Sequence, residues 1–390
     1  MQNSSGSSKT ALMAGSVALT IGAVAWSGHF LTLLALLALP QVFDTAKGPA
    51  QRLTVLGCYY AASIWPVMPG ATQFFGDDAG MHPLSIVILW LISAVVLTLP
   101  WLWLLLTPRM NTEWALPIGL CLTALLPTGV VNPLTVAGVL FPALGWAGLI
   151  ATIILFGTLS KYRVSSLLCA AMLAAICYVS HPGIPTVPPA WQGHDTQLGG
   201  SELSKQTTTA LYKGVLYVQE TALDSNAQIQ VFPEGLINHW TPSAEGFWQS
   251  TYSELRQNRQ SILFGAEENL PHRGQYRNEL LLRGEYTATF QQRVPIPYAM
   301  WRPWDKIGVP IHYFGPSILL VGPRRAAPIV CYEQLLIAPI LISMEHNPEV
   351  IVSIANDYWT KGTYIAEIQQ STIEAWSRLF WIPVVSATNR

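Results

Sequence analysis

One cysteine and one glutamate stand where a chain would put a nucleophile and its base. Cys331 follows the apolar run 326–330, which reads as a buried strand, and precedes Tyr332 to about Met344, which reads as a helix. A thiol at such a junction faces the positive end of the helix dipole, which lowers its pKa and exposes the sulfur. Glu234, within Pro233-Glu234-Gly235, ends a second strand-like run, 229–232. A third run, 350–354, leads into Asn356-Asp357-Tyr358-Trp359. Open α/β sheets build their sites at the carboxyl ends of strands. A Glu after one strand and a Cys after another therefore outline a base and a nucleophile for attack on a carbonyl. The plainer readings stay open at this point: Cys331 as a small buried apolar residue, as free cysteines often are, and Glu234 as a loop acid.

The elements that must hold these residues alternate in type. A helix is expected over 202–227, where Leu203, Ala210, Leu211, Val215, Leu216, Val218 and Ala222 recur at helical intervals. Strands are expected over 261–266, 280–282, 285–290, 318–321 and 382–386, and a helix over 362–379. Such alternation argues for an α/β domain. The segment 291–316 is rich in Pro, Trp and Tyr. Its aromatics, with Tyr358 and Trp359, suit either core packing or a rim at a bilayer interface.

Charge divides the chain. It is 51% hydrophobic and only 11% charged, against about a quarter charged in ordinary soluble domains. In residues 1–180 the only cations are Lys9, Lys47, Arg52, Arg109, Lys161 and Arg163, and the only acids Asp44, Asp77, Asp78 and Glu113. Apolar segments run roughly over 11–26, 28–43, 52–68, 83–107, 114–131, 134–157 and 163–180, and several approach the ~20 residues that span a bilayer. With an inside N-terminus and seven spans, every one of those cations falls inside, as the positive-inside rule requires. Residue 181 then lies outside. The single Lys9 before 11–26 is a poor n-region for a cleaved signal peptide.

The organisation expected is a disordered cytoplasmic tail (1–10), a polytopic α-helical membrane domain (11–180), a Pro/Gly-rich linker (181–201) and an extracytoplasmic α/β domain (202–390). Cys58, Cys121, Cys169 and Cys177 fall in apolar segments, which leaves Cys331 alone in the polar half. No Cys/His cluster suggests a metal, no cofactor motif is present, and the charge is not basic enough to suggest nucleic acid.

The ordered set Phe232-Pro233-Glu234-Gly235, Val330-Cys331-Tyr332-Glu333 and Ala355-Asn356-Asp357-Tyr358-Trp359 resembles the nitrilase (carbon–nitrogen hydrolase) superfamily. Within it the chain is similar to the apolipoprotein N-acyltransferases, whose nitrilase domain hangs from a polytopic membrane domain. The wording Gln292-Arg293-Val294-Pro295-Ile296-Pro297 and Met300-Trp301-Arg302-Pro303-Trp304 is more similar to the TraB proteins of conjugative plasmids. The resemblance implies an α-β-β-α sandwich, a bacterial inner-membrane location with the α/β domain in the periplasm, and a Cys331 thioester with Glu234 as base. It implies an acyltransferase or amidohydrolase acting on a phospholipid or an acylated or amide substrate, beside the lipid bilayer and conjugation-apparatus proteins. A catalytically silent scaffold that binds a pilin or channel component is the second reading. Asn356, Asp357 and Trp359 then shape the pocket wall, and the backbone N–H of Tyr332 serves the oxyanion. The family triad also holds a Lys, which the corresponding stretch 290–295 lacks. Arg293 takes that place as a fixed positive charge, with Lys306 a distant alternative. Arginine does not shuttle protons.

Overall fold

The computed structural model describes residues 2–76, 82–107, 110–198, 208–271, 274–305 and 307–390. Its contacts divide into two units. One holds Met1–Ile184 together with Leu335–Ala338 and Gly362–Trp381; the other holds Pro185–Gln334, Pro339–Lys361 and Ile382–Arg390.

The first unit is helical, and prolines decide where its apolar runs break. Residues 2–10, expected as part of a disordered tail, belong to the helix Gln2–Ala25. The run 28–43 becomes a tight 3-10 helix, Phe30–Ala38, followed by Leu39–Thr45 with Pro40 at its start. The run 52–68 is split at Pro66 between Pro49–Ser63 and Val67–Gly76, because proline supplies no donor to the helical ladder. The run 134–157 is divided at Phe141-Pro142, and the helix Gly145–Thr158 restarts after Ala143 with φ 64°. Two helices among the described residues are long and apolar enough to cross a membrane, Pro83–Leu106 and Arg163–Ser180. Both turn apolar side chains outward: Ile92, Val95, Met172, Ile176 and Val179 are all at least 55% exposed. The interior carries the polar contacts instead. Trp26 donates to the Tyr59 hydroxyl (2.9 Å), which donates to the carbonyl of Val131 (2.6 Å), and Asn132 donates to the Leu120 carbonyl and to Thr123. Bonds of this kind satisfy the polar groups buried between the helices.

The helix Ile365–Phe380, expected within the α/β domain, packs in this first unit. A Cβ on Gly138 would lie 1.8 Å from the carbonyl oxygen of Ala375, so only glycine allows the two backbones to meet. The Arg378 guanidinium lies over the Phe30 ring at 4.6 Å and pairs with Glu374 at 2.8 Å.

The second unit stacks two sheets. The first contains β1 (Trp191–Gly193), β2 (Ile229–Val231), β3 (Ile237–Trp240), β4 (Ser261–Asn269), β5 (Tyr276–Gly284) and β6 (Ala288–Gln291). Its order is β1-β2-β4-β5-β6, with β3 also paired to β4. The second contains β7 (Leu319–Val321), β8 (Arg324–Val330), β9 (Val350–Asn356) and β10 (Val384–Asn389), in the order β10-β9-β8-β7. Trp191, Val231, Leu263 and Leu282 of the first sheet share one core with Ala326, Val330, Val352 and Val385 of the second. The outer face of the first sheet is covered by the helices Thr208–Asp224 and Gln249–Gln257, through Val218, Ala222, Trp248, Tyr252 and Leu255. Helix, sheet and sheet are thus three layers of the expected sandwich. The strand β1 lies inside the stretch 181–201 expected to be a linker, and β3 and the helix Gln249–Gln257 were not foreseen. The triplet Trp248, Tyr252 and Leu255 was the available signal for that helix, at i, i+4, i+7 spacing.

The two sheets close tightly at Gly193, where a Cβ would stand 1.8 Å from the carbonyl oxygen of Ser386. Gly193→Ala must push β1 off β10, and overpacking of this kind costs about 1–3 kcal/mol. The expected result is a lower urea midpoint for the full-length protein in detergent, with an unchanged slope; an unaltered midpoint would show that the sheets separate there freely.

Candidate functional site: a buried carboxyl and thiol

Glu234 is placed by backbone contact. The turn after β2 accepts a hydrogen bond from Gly265 N–H at the Pro233 carbonyl (3.0 Å). A Cβ on Gly265 would fall 2.5 Å from the Glu234 Cα, so β4 approaches the turn as only glycine permits. Gly235 then reverses the chain at φ 62°. The carboxyl that results is 4% exposed.

Three neighbours hold that carboxyl. Asn278 of β5 donates to its Oε1, and the backbone N–H of Asn356 donates to its Oε2 at 3.2 Å. The Cys331 thiol hydrogen-bonds to it. Asn278 also donates to Gln292 Oε1 (3.0 Å), and Gln292 Nε2 donates to the Val330 carbonyl (3.3 Å), one residue before the cysteine. Asn356 is itself fixed from behind: its Oδ1 accepts from Asn389 (2.8 Å), whose Oδ1 accepts from Thr196 and from Leu198 N–H. Burial dominates the electrostatics, pushing the Glu234 carboxyl up to about 7 against the hydrogen bonds from Cys331, Asn278 and Asn356. A carboxyl at that position on the pH scale is suited to take a proton near neutrality.

Cys331 adopts φ 49°, a left-handed conformation that a side chain enters only under constraint. It opens the 3-10 turn Cys331–Leu335, and the regular helix starts only at Ile337. The expected dipole at the thiol is therefore not in place. Burial, together with the charges of Glu234 and Asp357, pushes the thiol well up from its ordinary range, opposed by the Asn356 N–H. This corrects the expectation of an exposed, acidic cysteine: the resting group is a buried thiol, 8% exposed.

Arg293 is also not where its expected role requires. Its guanidinium, fully buried, donates to the Pro339 carbonyl at 3.0 Å and pairs with Glu333 at 3.6 Å. Glu333 accepts further from the N–H groups of Arg293 (2.6 Å), Val294 (2.9 Å) and Val330 (3.2 Å). The pair clamps the segment after β6 to the turn after β8. In the stretch where the family Lys was sought, the residue that reaches the carboxyl–thiol pair through Asn278 is Gln292. Lys306 lies outside the described residues.

The remaining expected residues gather at the ends of the strands. Asp357 is buried, its N–H donating to the Asn389 carbonyl (2.8 Å), and its charge acts on Cys331. Trp359 lies half-buried in the turn Tyr358–Thr360. Tyr332 follows the cysteine, and burial pushes its phenol up. Asn278 and Glu267 were missed. Both sit mid-strand in polar runs, and only the β4–β5 register brings them to the site.

Fold and site together define an α/β domain with a buried carboxyl–thiol pair at its strand ends, in a chain whose other half is apolar and helical. No family model matches the chain. Over 392 residues it is 30% identical to the "Probable conjugal transfer protein TraB" of Sinorhizobium fredii (strain NBRC 101917 / NGR234), covering 95% of this chain and 96% of that protein. Over 398 residues it is 31% identical to the "Conjugal transfer protein TraB" of Agrobacterium fabrum (strain C58 / ATCC 33970), covering 96% and 91%. The chain belongs to the family of these conjugal transfer TraB proteins. Among solved structures it is similar to a mutant of the Nesterenkonia AN1 amidase from the nitrilase superfamily, at 13% identity and a TM-score of 0.34 over 51% of this chain and 74% of that one. A second structure, of the NitN amidase from the same source, gives 15% identity and a TM-score of 0.30 over 51% and 76%.

The clamp makes a testable claim about Arg293. Lysine has no planar fork to span Glu333 and the Pro339 carbonyl, and a disrupted buried pair costs up to about 3–5 kcal/mol. Arg293→Lys is expected to lower the melting temperature in detergent and to leave the alkylation rate of Cys331 no faster. A faster rate with unchanged melting would place the guanidinium at the reacting atoms instead.

Proposed function

We propose that the chain is a multi-pass inner-membrane enzyme of the nitrilase type that serves conjugal transfer. In this reading it acts as a thiol acyltransferase or amidohydrolase through a Cys331 thioester. The observation that carries the reading is the hydrogen bond between the Cys331 thiol and a buried Glu234 poised near neutrality. The TraB relatives supply the biological setting.

The steps follow from the groups present. Glu234 takes the thiol proton as Sγ attacks an ester or amide carbonyl, and the backbone N–H of Tyr332 receives the developing oxyanion. Glu234 then delivers the proton to the leaving oxygen or nitrogen, and an amine or water breaks the thioester. Asp357 and Trp359 wall the acyl group. The outward Trp304 and Phe314, 68% and 87% exposed, suit contact with the bilayer interface and a phospholipid donor. The cation distribution of the first half supports a cytoplasmic N-terminus and a periplasmic α/β domain. The second reading, a silent scaffold that holds a pilin or channel component, is favoured by one observation: Gln292, not a titratable Lys, stands beside the pair.

Incubation of membranes with labelled phospholipid is expected to leave an acyl label on the protein that hydroxylamine removes and Cys331→Ser abolishes. Plasmid transfer should fall at least tenfold in the Cys331→Ser strain. Transfer at the wild-type level with no label at any time would leave only the scaffold.

The topology is checked separately. Alkaline phosphatase fused after Arg390 is expected to be active and a cytoplasm-dependent reporter at the same position silent; the reverse pattern would place the α/β domain inside.

A further inference from the structure

A second carboxyl stands beside Glu234 on a strand that the mechanism above does not use. Side chains alternate along β4, so Glu267 shares a face with Gly265, against which the Glu234 turn is pressed. The β4–β5 register sets Glu267 directly across from Asn278, and directly opposed residues stand about 5 Å apart at Cβ. Asn278 is the donor that holds Glu234. Glu267, Asn278 and Glu234 therefore form one contiguous row, with Glu267 half-buried at its outer end.

The groups that face the row are mostly acids and phenols, and the nearby cations are engaged elsewhere. Cys331, Glu333 and Asp357 face Glu234 or the thiol from the turns after β8 and β9. Tyr276 of β5 and Tyr358 after β9 face Glu267. Arg302 acts on Tyr276, and Arg277 pairs with Glu268 on the other face of β4 at 3.2 Å. Arg293 is held by Glu333 and Pro339. Among the described residues no Lys or Arg forms an ion pair with Glu234 or Glu267. Burial and the repulsion from Glu234 push Glu267 up to about 7, the same region as its neighbour.

We infer that Glu267 is a positioning residue for the Cys331 reaction: its carboxylate, set across from the Asn278 that holds Glu234, repels charge on Glu234 and so makes Glu234 a stronger base. The inference rests on the reading of Glu234 as the base. A site with a cation beside the thiol can keep a thiolate ready. Here the thiol is buried and protonated, so its proton must leave during attack, and a stronger base is needed. A like-charged neighbour supplies it, because two adjacent carboxyls do not both ionise readily. With Glu267 ionised, Glu234 accepts the thiol proton more readily. As the Sγ–carbon bond forms, the S–H pair stays on sulfur, the proton moves to Glu234 and the leaving group departs with its bonding pair.

Alkylation of Cys331 by iodoacetamide tests this without any acyl donor. The bond formed is Sγ–carbon, iodide leaves, and the proton passes to Glu234. The measurement uses the full-length protein in detergent, from pH 5 to 8.5 at low salt, with the Cys331 peptide followed by mass. The wild type is expected to show a midpoint near 7, and Glu234→Gln to lose that limb. Glu267→Gln removes the repulsion, so Glu234 ionises at lower pH. The midpoint is expected to fall by about 0.5 or more, with alkylation at pH 6 roughly threefold faster and a lower plateau. Glu267→Asp should keep the wild-type midpoint. Should the Gln variant fail to accumulate, Glu267→Ala, which also removes the carboxylate, is expected to lower the midpoint in the same way, and a wild-type midpoint in that variant would overturn the inference. A Gln variant that keeps the wild-type midpoint, or slows equally at every pH, would overturn it too. The failures are separable. A profile that shifts as stated with no acyl label removes the enzyme reading alone; a label that forms with no shift removes Glu267 alone; and a wild-type limb that survives in Glu234→Gln removes Glu234 as base and this inference with it.

Discussion

Everything at the site depends on keeping a carboxyl dry. Glu234 is buried at a turn that only Gly265 can accommodate, and its oxygens are spoken for by an amide, a backbone N–H and a thiol. Burial of a carboxylate without a cation is costly, and a protein answers by letting the group hold its proton to higher pH. The hydrogen bonds from Asn278 and Asn356 offset part of that cost and orient the group. The same burial raises the thiol. The two partners are therefore poised as proton donor and acceptor, not as an ion pair already formed.

The scaffold around this pair is a relay of amides. Thr196, Asn389, Asn356, Glu234, Asn278 and Gln292 follow one another from the edge of one sheet to the segment after β6 of the other. The four amides, of Asn389, Asn356, Asn278 and Gln292, carry both donors and acceptors, so each can be satisfied on two sides. Such a network orients the groups at its centre without adding charge. The buried ion pair of Arg293 with Glu333 acts mechanically, since Glu333 gathers three backbone N–H groups from two segments.

The sequence made Glu234, Cys331 and Asn356 legible because strand ends followed by polar residues are a local signal. Asn278 and Glu267 were hidden because their meaning lies in a register between two strands, and a slip of one residue would turn both away from the site. Arg293 was misread for a related reason. A lone cation near an expected Lys position invites a catalytic role, while its true partner, Glu333, is 40 residues distant in sequence. In the first half, apolar runs identified the segments, but Pro66 and Pro142 decided how many continuous helices they make. The thiol was judged from a helix expected to begin at Tyr332, whereas a 3-10 turn occupies the first residues.

The packing of Ile365–Phe380 into the first unit has a consequence for how the chain is made. Gly138 emerges from the ribosome well before the backbone it must meet, at Ala375. At ~5–20 residues per second, the roughly 240 residues between them take on the order of tens of seconds to add. Throughout that time the early helices stand without their last partner, although all of their own sequence has been made. The order of synthesis and the order of completion are thus inverted. A stop codon placed between β9 and Ile365 would remove β10 from the second unit and, from the first, the helix that its earlier-made part packs against.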